Sequence, residues 1–439
     1  MMAVVVAMSI AAPVWADDLQ DAMAADARKD YATELKLLLP LAEKGDLNAQ
    51  FYLGYMYDEG LGVKQDYGVA LKWYLLAAAQ GQAWAQNNIG AIYHDAHGVK
   101  RDTTEAARWY KQAAEQGVTL AQRNLAGLYR HGDGVQRDLA EAARLYRLAA
   151  NAGDSLAQVD LGVMYENGEG LPIDVTQAVN YYRMAADRKE SAGQAHLGQM
   201  YELGHGVPVD IEEAVKWYRH AAYQDLPFAQ YRLGIIAYYG LNGVKDYHEA
   251  ISYFKKAANQ DMAEAGYELG MAYLRGLGVE QDLTQSAQWF KKAADNDSAE
   301  AMLRLGFLYH EGFGVAKDSH LAQALYNKSA QKGLAKAQYL VGLQLQSGDG
   351  GDKDEAAAIK WFKQAAEGGD ISARHELAKA YASGKGIKAD PVLAYVWYSQ
   401  MLQEASNEAQ IKTAIEEQDA LKAKMSEVQL KLAQELVSP

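Results

Sequence analysis

Residues 49–81 read AQFYLGYMYDEGLGVKQDYGVALKWYLLAAAQG. Ala49, Leu53 and Tyr57 fall four apart and form one apolar stripe of a helix. The segment GLGVKQD (60–66) interrupts the pattern with two glycines. A second stripe follows through Ala70, Trp73, Ala77 and Ala78, and Gly81 stops it, because glycine enters the left-handed conformation at little steric cost. The stretch therefore predicts a helix, a glycine-rich loop, a second helix and a stop.

The same text returns along most of the chain. AQNNIGAIYHDA, AQRNLAGLYRHG and AQVDLGVMYENG begin at Ala85, Ala121 and Ala157, each 36 residues after the last. A small residue recurs in phase at Gly54, Gly90, Ala126, Gly162, Gly198, Gly234, Gly270, Gly306, Gly342 and Ala378. A fixed period of this size marks a repeat architecture and overrides the division into about three domains of roughly 150 residues that 439 residues would otherwise suggest. The expected fold is all-α, a solenoid of ten helix pairs over 47–406, bounded as 47–82, 83–118, 119–154, 155–190, 191–226, 227–262, 263–298, 299–334, 335–370 and 371–406. Residues 17–46 are expected to form an N-terminal capping half-repeat and 407–439 a helical C-terminal cap, with Ser426 and Gln429 as a capping box.

Three in-phase features call for a physical role. Eleven aspartates, from Asp30 and Asp66 to Asp354 and Asp390, each precede a second helix. A carboxylate there accepts from the free N–H groups of the helix start, so capping is the expected role rather than a ladder of metal ligands. The small slot at Gly54 and its equivalents costs about 1 kcal/mol of helix propensity against alanine, which implies a very close crossing of the partner helix. Aromatic pairs such as Trp73-Tyr74, Trp217-Tyr218 and Trp361-Phe362 are expected to fill the space between successive repeats.

The recurring residues, in the first repeat Ala49, Leu53, Gly54, Tyr57, Gly60, Gly62, Val63, Asp66, Ala70, Trp73, Tyr74, Ala77, Ala78 and Gly81, resemble the Sel1-like repeat family, relatives of the tetratricopeptide repeats. The resemblance covers residues 47 to about 406. It implies an α/α superhelix that serves as a protein-interaction scaffold, often in bacterial secretion, envelope or host-contact settings, with no catalytic site. A cysteine-rich secreted branch of the family is linked to β-lactam binding, and this chain has no cysteine. The departures are local: His97 follows Ala96 where Gly-x-Gly is usual, and Lys189, Asp225, Asp261 and Asp297 replace the helix-stop glycine.

Composition narrows the function. The formal charge is −14, which disfavours a nucleic-acid partner, and the absence of cysteine removes disulfides, thiolate metal sites and thiol nucleophiles. No segment beyond the N-terminus has 18 uninterrupted apolar residues, so the mature chain is expected to lack a transmembrane segment. HExxH, phosphate-loop and GxSxG motifs are absent. His94, Asp95 and His97 lie in one loop, with His131 and Asp133 in the next, but nothing fixes a tetrahedral geometry. Asp349, Asp352 and Asp354 lack the calcium-loop pattern, and Ser252/Lys255 and Ser329/Lys332 lack the companion motifs of a nucleophile. No catalytic residue, cofactor or metal ligand is assigned.

A binding face is assigned instead. Positions 48, 51, 55 and 58 cluster on the side of the first helix opposite its core stripe, which lines the concave groove of a right-handed superhelix. In repeats six to nine that side carries Phe228, Tyr231, Ile235, Tyr238, Tyr267, Met271, Phe307, His310 and Tyr339. Aromatic and apolar side chains in a groove suggest docking of a protein or peptide. The alternatives are a β-lactam-binding or hydrolysing protein, as in the cysteine-rich relatives, and a glycan-binding envelope protein, because tyrosines also stack on sugars.

Residues 2–12, MAVVVAMSIAA, form an uncharged apolar run followed by Pro13 and by Val14-Trp15-Ala16, which fits a signal-peptidase site. No Lys or Arg precedes the run, the one departure from that pattern. Export to the periplasm or beyond is expected, with residues 1–16 removed. Intact-mass analysis of the protein made in a native host is expected to give a chain beginning at Asp17. A chain that retains Met1 or Met2 overturns this reading.

Overall fold

The computed structural model describes residues 16–349 and 351–437, so the expected signal peptide lies outside the described residues except for Ala16. The described residues form 24 helices and no strand. They belong to two compact units, one ending at His220 and the other beginning at Ala221.

Repeat one shows the build. Asp46 accepts from the N–H groups of Asn48 and Ala49 at 3.0 and 2.8 Å and opens the first helix, Leu47–Glu59. Gly60 ends it at φ 72°, donating its N–H to the Met56 carbonyl. Asp66 then acts twice. Its N–H donates to the Tyr57 carbonyl at 2.9 Å, and its carboxylate accepts from Val69 N–H at 3.0 Å to open the second helix, Tyr67–Ala79. One residue thus ties the end of the first helix to the start of the second. All eleven in-phase aspartates cap a second helix in this way, through Asp390, which accepts from Val392 and Leu393.

The small slot is occupied differently from expectation. The close neighbour is the second ring of the aromatic pair, lying on the glycine. A Cβ added at Gly54 would come within 2.7 Å of Tyr74 Cδ1, and one at Gly342 within 2.4 Å of Phe362 Cε1. The aromatic pair accordingly splits its work. Tyr74, Tyr182, Tyr218, Phe254, Phe290 and Phe362 are fully buried within their own repeat. The first ring is half-buried and packs against a cluster that spans two repeats: Trp109 against that of Ala70, Tyr74, Ala85 and Ile89, and Trp361 against that of Ala322, Tyr326, Ala337 and Val341.

A buried glutamine adds a further joint between repeats. Gln50 donates from Nε2 to the Ala42 carbonyl at 3.1 Å, and Gln122, Gln158 and Gln338 do the same to Ala114, Ala150 and Ala330. Each reaches back to the preceding second helix and satisfies a carbonyl at its C-terminus. The second glycine of the loop permits another close approach: a Cβ at Gly134 would lie 2.2 Å from the Thr103 carbonyl carbon of the preceding repeat. Ala96, Lys189, Asp225, Asp261 and Asp297 keep the left-handed φ of the glycines they replace, so the loop shapes persist at those positions.

The expected half-repeat at 17–46 holds two helices, Ala16–Ala27 and Tyr31–Glu43. The second, capped by Asp30, is in phase with the second helices of the repeats. At the other end, Asn407 opens a helix over Glu408–Lys422, whose Ala414 and Leu421 bury against the last repeat. Ser426 and Gln429 form the expected reciprocal capping box ahead of Glu427–Val437: Gln429 N–H donates to Ser426 Oγ at 3.2 Å, and Ser426 N–H to Gln429 Oε1 at 3.0 Å.

Two outcomes follow from this packing. Gly198 faces Tyr218 with only 2.9 Å to spare for a Cβ, so Gly198→Leu is expected to destabilise the fold by about 1–3 kcal/mol or more in urea melts. Wild-type stability would show that the ring can move aside. Glu34 is 5 % exposed, and burial, reinforced by the charge of Asp26, raises its carboxyl from 4.5 to about 7. The folded chain therefore binds the extra proton between those values, and stability falls as pH rises from about 4.5 to about 7. Glu34→Gln is expected to remove that dependence and to raise stability at pH 8 by up to about 3 kcal/mol. Hydrogen exchange of the amides of 31–43 at the two pH values is the check, and an unchanged pH dependence sinks the assignment.

Candidate functional site

The residues expected to face a groove in repeats six to nine divide into three groups. Phe307 is 44 % exposed. Phe228, Tyr231, Tyr267, His310 and Tyr339 are half-buried. Ile235, Tyr238 and Met271 are buried, at 9 %, 7 % and 5 % exposure, which corrects their placement on an open face. The reason is the width of the helix contact. Ile235 packs into the cluster around Phe254, and Met271 into that around Phe290. Tyr238 is held edge-on by Tyr239 and Tyr247, with ring centroids 5.0 and 5.1 Å away.

The three tyrosines that reach the surface share one arrangement. Tyr231, Tyr267 and Tyr339 each lean on the buried ring of their own repeat, Phe254, Phe290 and Phe362, at centroid distances of 6.1, 5.7 and 5.9 Å. Lys336 Nζ lies 4.5 Å from the Tyr339 ring. His310 faces acids, with Nδ1 3.3 Å from Asp349 Oδ2. Burial raises the Glu268 carboxyl, and Arg275 partly opposes the shift.

Repeats one, four and five place an acid four residues after the small slot. There the buried ring is tyrosine, and its hydroxyl needs a partner. Tyr74 donates to Asp58 at 3.0 Å and also accepts from Asn88. Tyr182 donates to Glu166 at 2.6 Å, and Tyr218 to Glu202 at 2.8 Å. Where the ring is phenylalanine, the slot of those acids holds Tyr238, Leu274 and Gln346. The hydroxyl thus accounts for the acid in those three repeats, and no acid stands in the slot where the ring is phenylalanine.

The histidine loops of the N-terminal unit are drawn apart. His94 Nδ1 lies 2.6 Å from Asp95 Oδ1, while His97 stacks on Tyr67 at 4.5 Å. Arg101 donates to Asp133 at 2.7 Å. Among the described residues no three His, Asp or Glu side chains are placed to hold one ion. His94, His131 and Asp133 instead line an open cleft of about 350 Å3, together with Arg123, Asn124, Gly127, Leu128, Tyr146 and Asp160. Burial raises the Asp160 carboxyl, against the pull of Arg130 and Arg123.

The remaining sequence candidates serve the fold. Asp354 caps its helix through Ala357 N–H. Ser329 is buried and donates to the Ala299 carbonyl at 2.7 Å, and Lys332 pairs with Asp297.

Helix pairs of this length, with an in-phase cap and an in-phase glycine, match one family profile ten times. The Sel1 repeat profile matches residues 47–82, 85–118, 119–154, 155–189, 191–226, 227–262, 263–298, 299–334, 335–370 and 371–404. The chain belongs to the Sel1 repeat family. Family members are generally non-catalytic scaffolds for protein interaction. Among solved structures, this Sel1 repeat chain is similar to a protective antigen present in uropathogenic Escherichia coli strains, described as displaying an SLR fold. The identity is 31 %, the match covers 97 % of this chain and 94 % of that one, and the TM-score is 0.70. It is also similar to a Sel1 repeat protein from Oxalobacter formigenes, at 32 % identity over 78 % of this chain and 98 % of that one, with a TM-score of 0.59. No curated protein matches the chain. No helix among the described residues is long and apolar enough to cross a membrane.

Proposed function

We propose that this Sel1 repeat protein is an exported scaffold that binds an extended segment of a protein partner along the first-helix face of residues 227–370. The observation that carries the reading is the row of Tyr231, Tyr267 and Tyr339, each backed by a buried phenylalanine ring, with Phe307 exposed on the same series of helices. Aromatic side chains held from behind lose little freedom on binding and dominate the energetics of protein contacts. Charges of both signs flank the row, among them Arg304, Lys336, Glu264 and Glu376, and give a polar rim.

Export rests on the apolar run and the Val14-Trp15-Ala16 site. It is supported by the E. coli relative, which is described as a protective antigen.

The test selects a random peptide library displayed on phage against the full chain. Peptides so obtained are then measured against the triple variant Tyr231→Ala, Tyr267→Ala, Phe307→Ala. Affinity is expected to fall at least tenfold, since each aromatic hot spot contributes about 2 kcal/mol. Half-buried positions are expected to cost about 1–2 kcal/mol of stability each, against about 3–5 kcal/mol for a buried ring such as Tyr218. Phe307→Lys, at the most exposed position, keeps the test valid if the triple variant melts early. Peptides that bind all variants as well as wild type place the site elsewhere.

A further inference from the structure

The cleft of the N-terminal unit is a separate feature, and one glycine sets its repeat apart. At the position of Gly127, the other nine repeats carry Tyr55, Ala91, Val163, Gln199, Ile235, Met271, Phe307, Leu343 and Lys379. Only repeat three lacks a side chain there. The bare backbone of Gly127 lines the cleft of about 350 Å3 beside Tyr146, whose hydroxyl lies 3.6 Å from where a Cβ on Gly127 would stand.

The walls are charged with both signs. Arg123 occupies the register that holds Tyr231, Tyr267 and Tyr339 in the other unit. Its Nε is enclosed and ion-paired with Asp154 without a hydrogen bond, which leaves the terminal nitrogens as the donors for a ligand. The carboxylate beside it, Asp154 Oδ2, lies 3.4 Å away outside hydrogen-bond geometry, and the other oxygen of Asp154 already caps Ala157 N–H at 2.8 Å. A guanidinium presents a planar fork of donors that matches a carboxylate. Asp160 and Asp133 face the same space, so a bare anion would meet two like charges there. Asp133 is paired with Arg101, and Asp160 Oδ1 accepts a long hydrogen bond from Arg130 Nη1 at 3.4 Å, the shorter bond of that guanidinium going to Glu169. A ligand that carries an amine next to its carboxylate satisfies both walls at once. Leu128 and the bare Gly127 backbone leave room for a modest side chain.

We propose that this cleft binds a zwitterionic α-amino acid, its carboxylate on Arg123 and its ammonium toward Asp160 and Asp133. The site differs from the face of 227–370 in position and in chemistry, and the two are tested independently.

The experiment titrates the full chain with alanine, leucine and glutamate, three side-chain classes, and reads binding by saturation-transfer NMR. At least one is expected to bind in the millimolar range or tighter. The N-acetyl derivative of that amino acid lacks the ammonium, and its amide lacks the carboxylate. Each is expected to bind at least tenfold more weakly. Arg123→Gln is expected to weaken binding at least tenfold. Because Arg123 also neighbours the Asp154 cap, Gly127→Leu provides a second arm. Leucine or larger side chains already fit this register at Ile235, Phe307 and Leu343, so the variant is expected to fold as well as wild type while filling the cleft and abolishing binding. The proposal is overturned if none of the three amino acids binds at 10 mM, a concentration chosen at about the weak limit of such sites. It is equally overturned if the N-acetyl form binds as well as its parent, or if a folded Gly127→Leu chain binds as wild type does.

Discussion

The structure depends on one contact made in nearly every repeat: an aromatic ring lying on a residue with no side chain. Gly54 under Tyr74, Gly234 under Phe254 and Gly342 under Phe362 leave less than 3 Å for an added carbon. Glycine weakens its helix by about 1 kcal/mol, while a buried aromatic side chain contributes several times that through the area it removes from water. The ring therefore wins, and the distance between the two helices of the pair is set by its thickness. The aspartate that ends the first helix and opens the second then fixes their angle from the other side, through Asp66 N–H on the Tyr57 carbonyl and its carboxylate on Val69.

That ring also carries chemistry outward. A buried tyrosine hydroxyl must be bonded, so Tyr74, Tyr182 and Tyr218 each bring an acid to the first helix. Phenylalanine makes no such demand. At Phe254, Phe290 and Phe362 the face above is free to hold Tyr231, Tyr267 and Tyr339. In repeats one, four and five that oxygen is bonded to an acid of the first helix, while in repeats six, seven and nine the ring carries no oxygen and a tyrosine leans on it. The same repeat frame carries both, which is how a scaffold of near-identical parts acquires different surfaces.

Burial was harder to read than periodicity. Ile235, Tyr238 and Met271 have the spacing of an outer face and are nonetheless covered, because the clusters around Phe254 and Phe290 extend onto that side of their helices. Gln50, Gln122 and Gln158 recur in plain view after each leading alanine, yet nothing in their type announces a buried role. Only the stacked neighbour supplies the carbonyl that each one reaches. His97 was grouped with His94 and His131 by loop position, and the fold sends it to Tyr67 instead.

The sequence by itself determined the all-α repeat architecture, its phase, the eleven caps and the small slot, because these are local rules of helix starts, stops and propensities acting within about 36 residues. Tertiary structure alone decided which ring covers which glycine, which residues of the outer face stay open, and that Gly127 and Arg123 line one cleft. Those outcomes depend on atoms contributed by a second and a third helix, and their distances arise only when the pairs are stacked.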